Sequence, residues 1–308
     1  MLKLHNLSVE FLRYQRNGQR RPLTVISSLD LEVQAGHITA VLGSSGAGKS
    51  VLAHAILGIL PKNVRMHGEI EFHGQALTQE RIRRIRGKEI ALIPQSTTFL
   101  NPLLRVGRQV CRASRLSGVE QKTASENSHA AFQRYHLGQE VNRLYPFQLS
   151  GGMARRVLTA AATAGKAELL IADEPTSGLD PHVSAESLAH LRELADQGKG
   201  VILITHDIQA ALTVADTVTV FYAGTTLEIA ANKDFQTPER LRHPYTRALL
   251  RALPQYDFTF VPGVQPSPED LPAGCLFFPR CEHRQAKCEF ERPGLEPLRG
   301  GYVRCFYA

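Results

Sequence analysis

The chain has 308 residues, 43% of them apolar and 21% charged, with a net charge of +7 and five cysteines. That length supports a substantial core, in one large domain or one domain plus an appendage, and the composition excludes a disordered or membrane-embedded class. No stretch approaches the roughly eighteen uninterrupted apolar residues of a membrane helix, and Met1-Leu2-Lys3-Leu4-His5-Asn6 lacks the apolar run of a signal peptide, so residence in the cytoplasm is expected.

In chain order, Leu2–Leu12 and Val25–Val33 read as strands on either side of a basic break at Gln15–Arg21. Ile38–Leu42 is a short run of β-branched and apolar residues, the pattern of a buried strand. A glycine-rich loop follows, then helical apolar spacing from Val51 to Leu60, a hairpin around Gly68–Gly74 and a strand at Ile90–Ile93. The basic run Arg81–Lys88 reads as a solvated helix face. There is no tryptophan, and no aromatic residues are interleaved with the basic ones as a single-strand binding platform requires, so no nucleic-acid partner is expected.

Residues from about 97 to 165 have mostly helical character. Strands return at Leu169–Ala172 and Val201–Ile204, separated by a helix over His182–Ala195, and a last hairpin joins Thr217–Tyr222 to Thr225–Ile229. After residue 235 a helix near His243–Leu253 leads to a linker holding Pro262, Pro266, Pro268 and Pro272, then to a cysteine-rich segment. Strands alternating with helices imply a parallel sheet, and the helical stretch is an insertion into it.

Gly43-Ser44-Ser45-Gly46-Ala47-Gly48-Lys49-Ser50 fits G-x-x-x-x-G-K-[ST] at every fixed position and opens a helix at Val51. Glycines let the backbone wrap closely, so that successive N–H groups and a helix N-terminus face phosphates. Lys49 adds a point charge for the β- and γ-phosphates, and the Ser50 hydroxyl is a ligand for Mg²⁺. The competing reading is a chance Gly/Ser turn, against which the strand–loop–helix context argues.

Leu169–Ala172 ends in Asp173 and Glu174. Adjacent acids at a strand end are often a solvated turn; beside a phosphate loop, Asp173 suits Mg²⁺ binding and Glu174 suits a general base that polarises the attacking water. Strand Val201–Ile204 leads to Thr205-His206-Asp207, and strand Ile90–Ile93 leads to Gln95. In a parallel sheet such ends face the ligand side. His206 is accordingly assigned to the γ-phosphate and water, and Gln95 to Mg²⁺ or water. Leu149-Ser150-Gly151-Gly152-Met153 opens another helix, so Ser150, Gly151 and Gly152 form a second anion site. Two phosphate-facing helix ends far apart in one chain are most simply explained by a head-to-tail dimer, with each ATP held between two subunits.

In order, these motifs resemble those of the ABC ATPase family: phosphate loop Gly43–Ser50, Gln95, signature Leu149–Met153, Asp173 with Glu174, Ser177-Gly178-Leu179-Asp180 with Asp180 near nucleotide, and His206. Met153 departs from the usual glutamine and is familiar in the peptide and nickel importer branch. Tyr14 is the nearest candidate for the adenine-stacking aromatic. The resemblance implies an α/β P-loop NTPase core over 1–235 with an antiparallel β subdomain and an inserted helical subdomain over about 97–165. It also implies a small C-terminal extension over 236–308.

The extension resembles that of the dipeptide, oligopeptide and nickel importer ATPases, through His243-Pro244-Tyr245-Thr246-Arg247-Ala248-Leu249-Leu250 and Gly274-Cys275-Leu276-Phe277-Phe278-Pro279-Arg280-Cys281. Cys275, Cys281, Cys288 and Cys305 can staple a segment too small for its own core. Their spacing lacks the tight C-x₂₋₄-C pairs of structural zinc. A [4Fe–4S] cluster is expected, with Zn²⁺ as the alternative. Cys111 is expected to be a buried small hydrophobe.

The resemblance implies an ATPase that powers import of peptides, nickel or a metal chelate, using ATP and Mg²⁺, and peripheral to the cytoplasmic face of the inner membrane. Its implied partners are a second, paralogous ABC ATPase, two transmembrane permeases and an extracytoplasmic binding protein. Leu57-Gly58-Ile59-Leu60-Pro61 is reminiscent of nickel-type members. The alternative is a soluble ABC-type ATPase acting on nucleic acid or the ribosome, with a zinc-binding tail.

Overall fold

The computed structural model describes residues 1–14, 20–44 and 46–308. Ser45 and the core of the basic break, Gln15–Gln19, lie outside the described residues, as does the side chain of Tyr14. Strands β1 (Leu2–Tyr14), β2 (Arg20–Val33) and β3 (Ile38–Leu42) come first, then helix α1 (Lys49–Ile56) and strands β4 (Val64–Phe72) and β5 (Gln75–Ala76). Helix α2 (Gln79–Ile85), strand β6 (Ile90–Ile93) and helices α3 (Val106–Leu116), α4 (Gln121–Arg134) and α5 (Gly151–Thr163) follow. Next are β7 (Leu169–Asp173), α6 (Pro181–Asp196), β8 (Gly200–Thr205), α7 (Ile208–Val214), β9 (Thr217–Tyr222) and β10 (Thr225–Ala231). The tail adds α8 (Pro244–Arg251), α9 (Ala286–Phe290), β11 (Glu296–Leu298) and β12 (Gly301–Val303).

The chain divides into two compact units. One comprises Met1–Gln34, Thr39–Leu77 and Thr205–Ala308, and the other Ala35–Ile38 and Thr78–Ile204. In the first, β2, β1, β4 and β5 form an antiparallel sheet. A second set of strands runs β11-β12-β10-β9-β3, in which only the β3–β9 pair is parallel. The tail thus extends a sheet of the core. It is pinned by Arg242, which is 1% exposed and donates to Glu228 at 3.2 Å, to Asp234 at 3.0 Å and to the Leu298 carbonyl at 2.6 Å. Two carboxylates and backbone oxygens satisfy this buried guanidinium; removing one partner of such a set would strand a charge away from water.

In the second unit, β6, β7 and β8 are parallel, with registers Ile90↔Leu169 and Leu169↔Gly200. Strands β7 and β8 are buried throughout, which explains why they read as unbroken apolar runs rather than alternating ones. Helices α3, α4 and α5 enclose their own core around Val106, Val110, Phe132, Val157 and Ala160.

Three local expectations are corrected. Helix α1 stops at Ile56 instead of Leu60, because Leu57 is its C-cap and Gly58 follows with φ of 59°. The hairpin near Gly68–Gly74 turns only at His73-Gly74, both with positive φ, while Gly68 lies inside β4. Cys111 is half-buried rather than core, and accepts a 3.6 Å hydrogen bond from the Gln121 amide.

Candidate functional site

Strand β3 delivers its C-terminal end directly into Gly43. A Cβ at Gly43 would lie 2.6 Å from the Phe221 carbonyl oxygen, so only glycine allows the loop to leave the strand here. Gly48 has a φ of 97° and caps α1 without any side-chain hydrogen bond. The first turn of α1 therefore presents backbone N–H groups with no capping side chain over them, the arrangement that receives an anion. Lys49 is 7% exposed, and its ammonium donates to the Gly43 carbonyl at 2.6 Å and the Ser44 carbonyl at 3.1 Å. The structure places Gly43, Ser44, Gly46, Ala47, Gly48, Lys49, Ser50 and Val51 together in one loop–helix turn. His206, exposed in the same unit, follows β8; next to it Asp207 caps α7 by accepting from the Ala210 N–H at 3.1 Å.

In the second unit Asp173 and Glu174 end β7, and both carboxylates are buried, at 4% and 6% exposure. Glu174 adopts a φ of 49°, held by its N–H donating to the Ile204 carbonyl at 2.9 Å. A left-handed backbone at a non-glycine residue is costly and recurs at functional sites. Here it turns the residue out of the strand direction that Asp173 follows. Buried carboxylates suit cation binding, and Asp173 fits the expected Mg²⁺ ligand on that ground. Gln95 is exposed just after β6 and Pro94. Asp180 spends its carboxylate on the Val183 N–H at 3.0 Å as the N-cap of α6.

Ser150 caps α5, its hydroxyl accepting from the Met153 N–H at 3.2 Å. A Cβ placed on Gly151 or Gly152 would meet nothing within 4 Å. Neither glycine is thus required by packing among the described residues.

None of the four tail cysteines is in a disulfide; Cys275 and Cys288 are buried and Cys281 and Cys305 half-buried. Burial pushes the Cys275 thiol up to about 11, and the neighbouring Cys288, Cys305 and Cys281 push the same way. Burial also raises Cys281 and Cys305. The thiols come from separate segments, one before a 3₁₀ turn, one after it, one on α9 and one beyond β12. Among the described residues no group of three or more His, Cys, Asp or Glu side chains is gathered as a metal-binding set, so nothing in this arrangement supports the expected cluster or zinc shell.

Sequence reasoning missed one side chain beside the phosphate loop, Gln265, hydrogen-bonded to Ser44; it carried no signal at all.

The ABC transporter family model matches residues 26–177, and the model of the oligopeptide/dipeptide transporter C-terminal region matches residues 227–288. The chain is 36% identical to the dipeptide transport ATP-binding protein DppD of Escherichia coli (strain K12), over 100% of this chain and 96% of that protein. It is 35% identical to the oligopeptide transport ATP-binding protein OppD of the same organism, over 97% of this chain and 92% of the relative. Among solved structures, a dimeric ATP-binding cassette in a post-hydrolysis state with ADP and Pi aligns with a TM-score of 0.67 at 22% identity, covering 75% of this chain and 99% of that one. That likeness shows the fold.

Proposed function

The chain belongs to the ABC transporter family and carries the C-terminal region of its oligopeptide and dipeptide branch, and on that premise we propose that it is the ATP-hydrolysing subunit of a peptide importer. The observation that carries the reading is the pair of glycine-flanked helix ends, one uncapped behind Lys49 and one whose glycines face open space. ATP phosphates are taken by the N–H groups and ammonium of the first. Ser150, Gly151 and Gly152 complete the corresponding loop on a second, paralogous ATPase.

Ser50, Asp173 and Gln95 would hold Mg²⁺, which neutralises charge on the transferred phosphoryl group. Water attacks the γ-phosphorus as the bond to the ADP oxygen breaks. Glu174 takes the water proton, His206 orients the γ-phosphate and Asp180 supports the nucleotide contact from its helix cap. Functionally, residues 1–235 are the nucleotide-binding domain, with the helical subdomain at about 97–165, and 236–308 the extension.

No helix among the described residues is long and apolar enough to cross a membrane. On the peptide-importer reading, two permease subunits and an extracytoplasmic binding protein complete the importer, with this chain on the cytoplasmic face of the membrane. Cys275, Cys281, Cys288 and Cys305 are not gathered as a metal-binding set here; brought together, they would supply an all-sulfur donor set for a [4Fe–4S] cluster, with zinc as the alternative. Anaerobic purification followed by iron, sulfide and zinc analysis tests this, and zinc without iron would exclude the cluster.

The transport reading is tested in proteoliposomes holding the assembled importer and its binding protein. ATP-dependent uptake of a di- or oligopeptide is expected, and it is lost with Lys49→Ala. ATP-driven uptake of nickel without peptide uptake would move the chain to the metal side of its branch.

A further inference from the structure

The tail touches the phosphate loop. The Ser44 hydroxyl donates to the Gln265 side-chain oxygen at 2.7 Å, across 221 residues of sequence. Ser44 is thus held by a side chain from outside the loop, while its own carbonyl accepts from Lys49 at 3.1 Å and from the Ala47 N–H at 3.2 Å.

That holder is fixed by its surroundings. Gln265 stands in a strap lacking regular secondary structure, between Pro262 and Pro266, whose locked φ angles lower the entropy lost in holding it. On one side Arg280 clamps the strap, donating to the Val261 carbonyl at 3.1 Å and the Pro262 carbonyl at 3.2 Å. On the other, Glu269 accepts from Arg13 on β1.

From these contacts we propose that Gln265 is a positioning residue for the nucleotide, acting through Ser44 to hold the phosphate loop in its binding shape, with Arg280 securing the strap. Preorganisation of this kind favours binding by removing the cost of ordering the loop when the ligand arrives. It does not touch the reacting atoms, so its signature is in affinity and not in turnover.

The test uses the full chain and equilibrium binding of Mg–ATP, together with ATPase kinetics of the assembled importer. The proposal rests on the phosphate-binding reading, and the parent's own binding separates the two: a parent that binds no ATP sinks both. With a binding parent, Gln265→Ala is expected to raise Kd and KM about fivefold, the scale of one hydrogen bond, at unchanged kcat. Arg280→Ala follows in the same direction. The double variant Ser44→Ala/Gln265→Ala is expected to be no weaker than the worse single variant, because both remove one bond. Thermal melting of nucleotide-free Gln265→Ala stays at the parent value. A Kd within twofold of the parent for Gln265→Ala, tighter binding, additive effects in the double variant, or a fall in kcat alone would each overturn the proposal.

Discussion

At the start of α1 the capping residue is Gly48, which offers no side-chain acceptor, whereas at the start of α5 Ser150 folds its hydroxyl back onto the Met153 N–H. The first helix end keeps its donors uncapped behind a buried lysine, in a loop where Gly43 is demanded by the Phe221 carbonyl. The second has satisfied one donor itself, and its two glycines answer to no neighbour among the described residues. Under the proposed function the first end binds an anion within its own chain and the second serves another subunit, so substitutions at each should separate binding from assembly.

The sharpest break in that comparison is Lys49→Ala. It removes the charge next to the phosphates, where a charge-assisted hydrogen bond contributes up to about 3 kcal/mol. ATP affinity is expected to fall about a hundredfold and hydrolysis to vanish, as read by equilibrium binding and phosphate release. An affinity within threefold of the parent would contradict the role of the first helix end.

Ser150→Ala is expected to act differently. Loss of a side-chain cap costs about 1 kcal/mol of helix stability, and the contact offered to a second subunit weakens with it. ATPase activity of the assembled pair should drop about tenfold, while ATP binding by the single chain stays unchanged. If single-chain binding fell as well, the distinction between the two ends would collapse.

A third helix end, that of α8, sharpens the comparison through pH. His243 caps it, its Nδ1 accepting from the Tyr245 N–H at 3.0 Å, and burial, with the nearby Arg247 cation, lowers its pKa to about 3. Between that value and the ordinary 6.5 the unfolded chain binds the proton and the folded chain does not. Stability is therefore complete above about pH 6.5 and falls as pH drops toward 3. From pH 6.5 to 5.0 the loss is about 2 kcal/mol. His243→Asn keeps a capping oxygen but cannot titrate, so its denaturant midpoint should depend less on pH over that range. Equal pH slopes for parent and variant would show that His243 is not held neutral.

The motifs were legible because each is local: the phosphate loop, the Ser150 cap and the Asp173–Glu174 strand end are single backbone turns whose residue types declare their geometry. The strands β3, β7 and β8 were legible for a similar reason, as apolar runs bounded by glycine or acid. What joined distant segments was not. Nothing in the sequence pairs Ser44 with Gln265, or Arg242 with Glu228 and Asp234, since a polar residue in a linker has many possible partners. The end of α1 was misplaced because Leu57-Gly58-Ile59-Leu60 continues the apolar spacing after the backbone has left the helix. The cysteines were legible as a group but not as a geometry, because four thiols on separate segments can share a region without converging on one point.

The central claim is that this chain hydrolyses ATP with Glu174 as the base. The most direct measurement is Glu174→Gln in the assembled importer, following bound nucleotide and released phosphate together. The account predicts that ATP is retained with the parent's affinity while steady phosphate release is abolished. Phosphate release at the parent rate would contradict it.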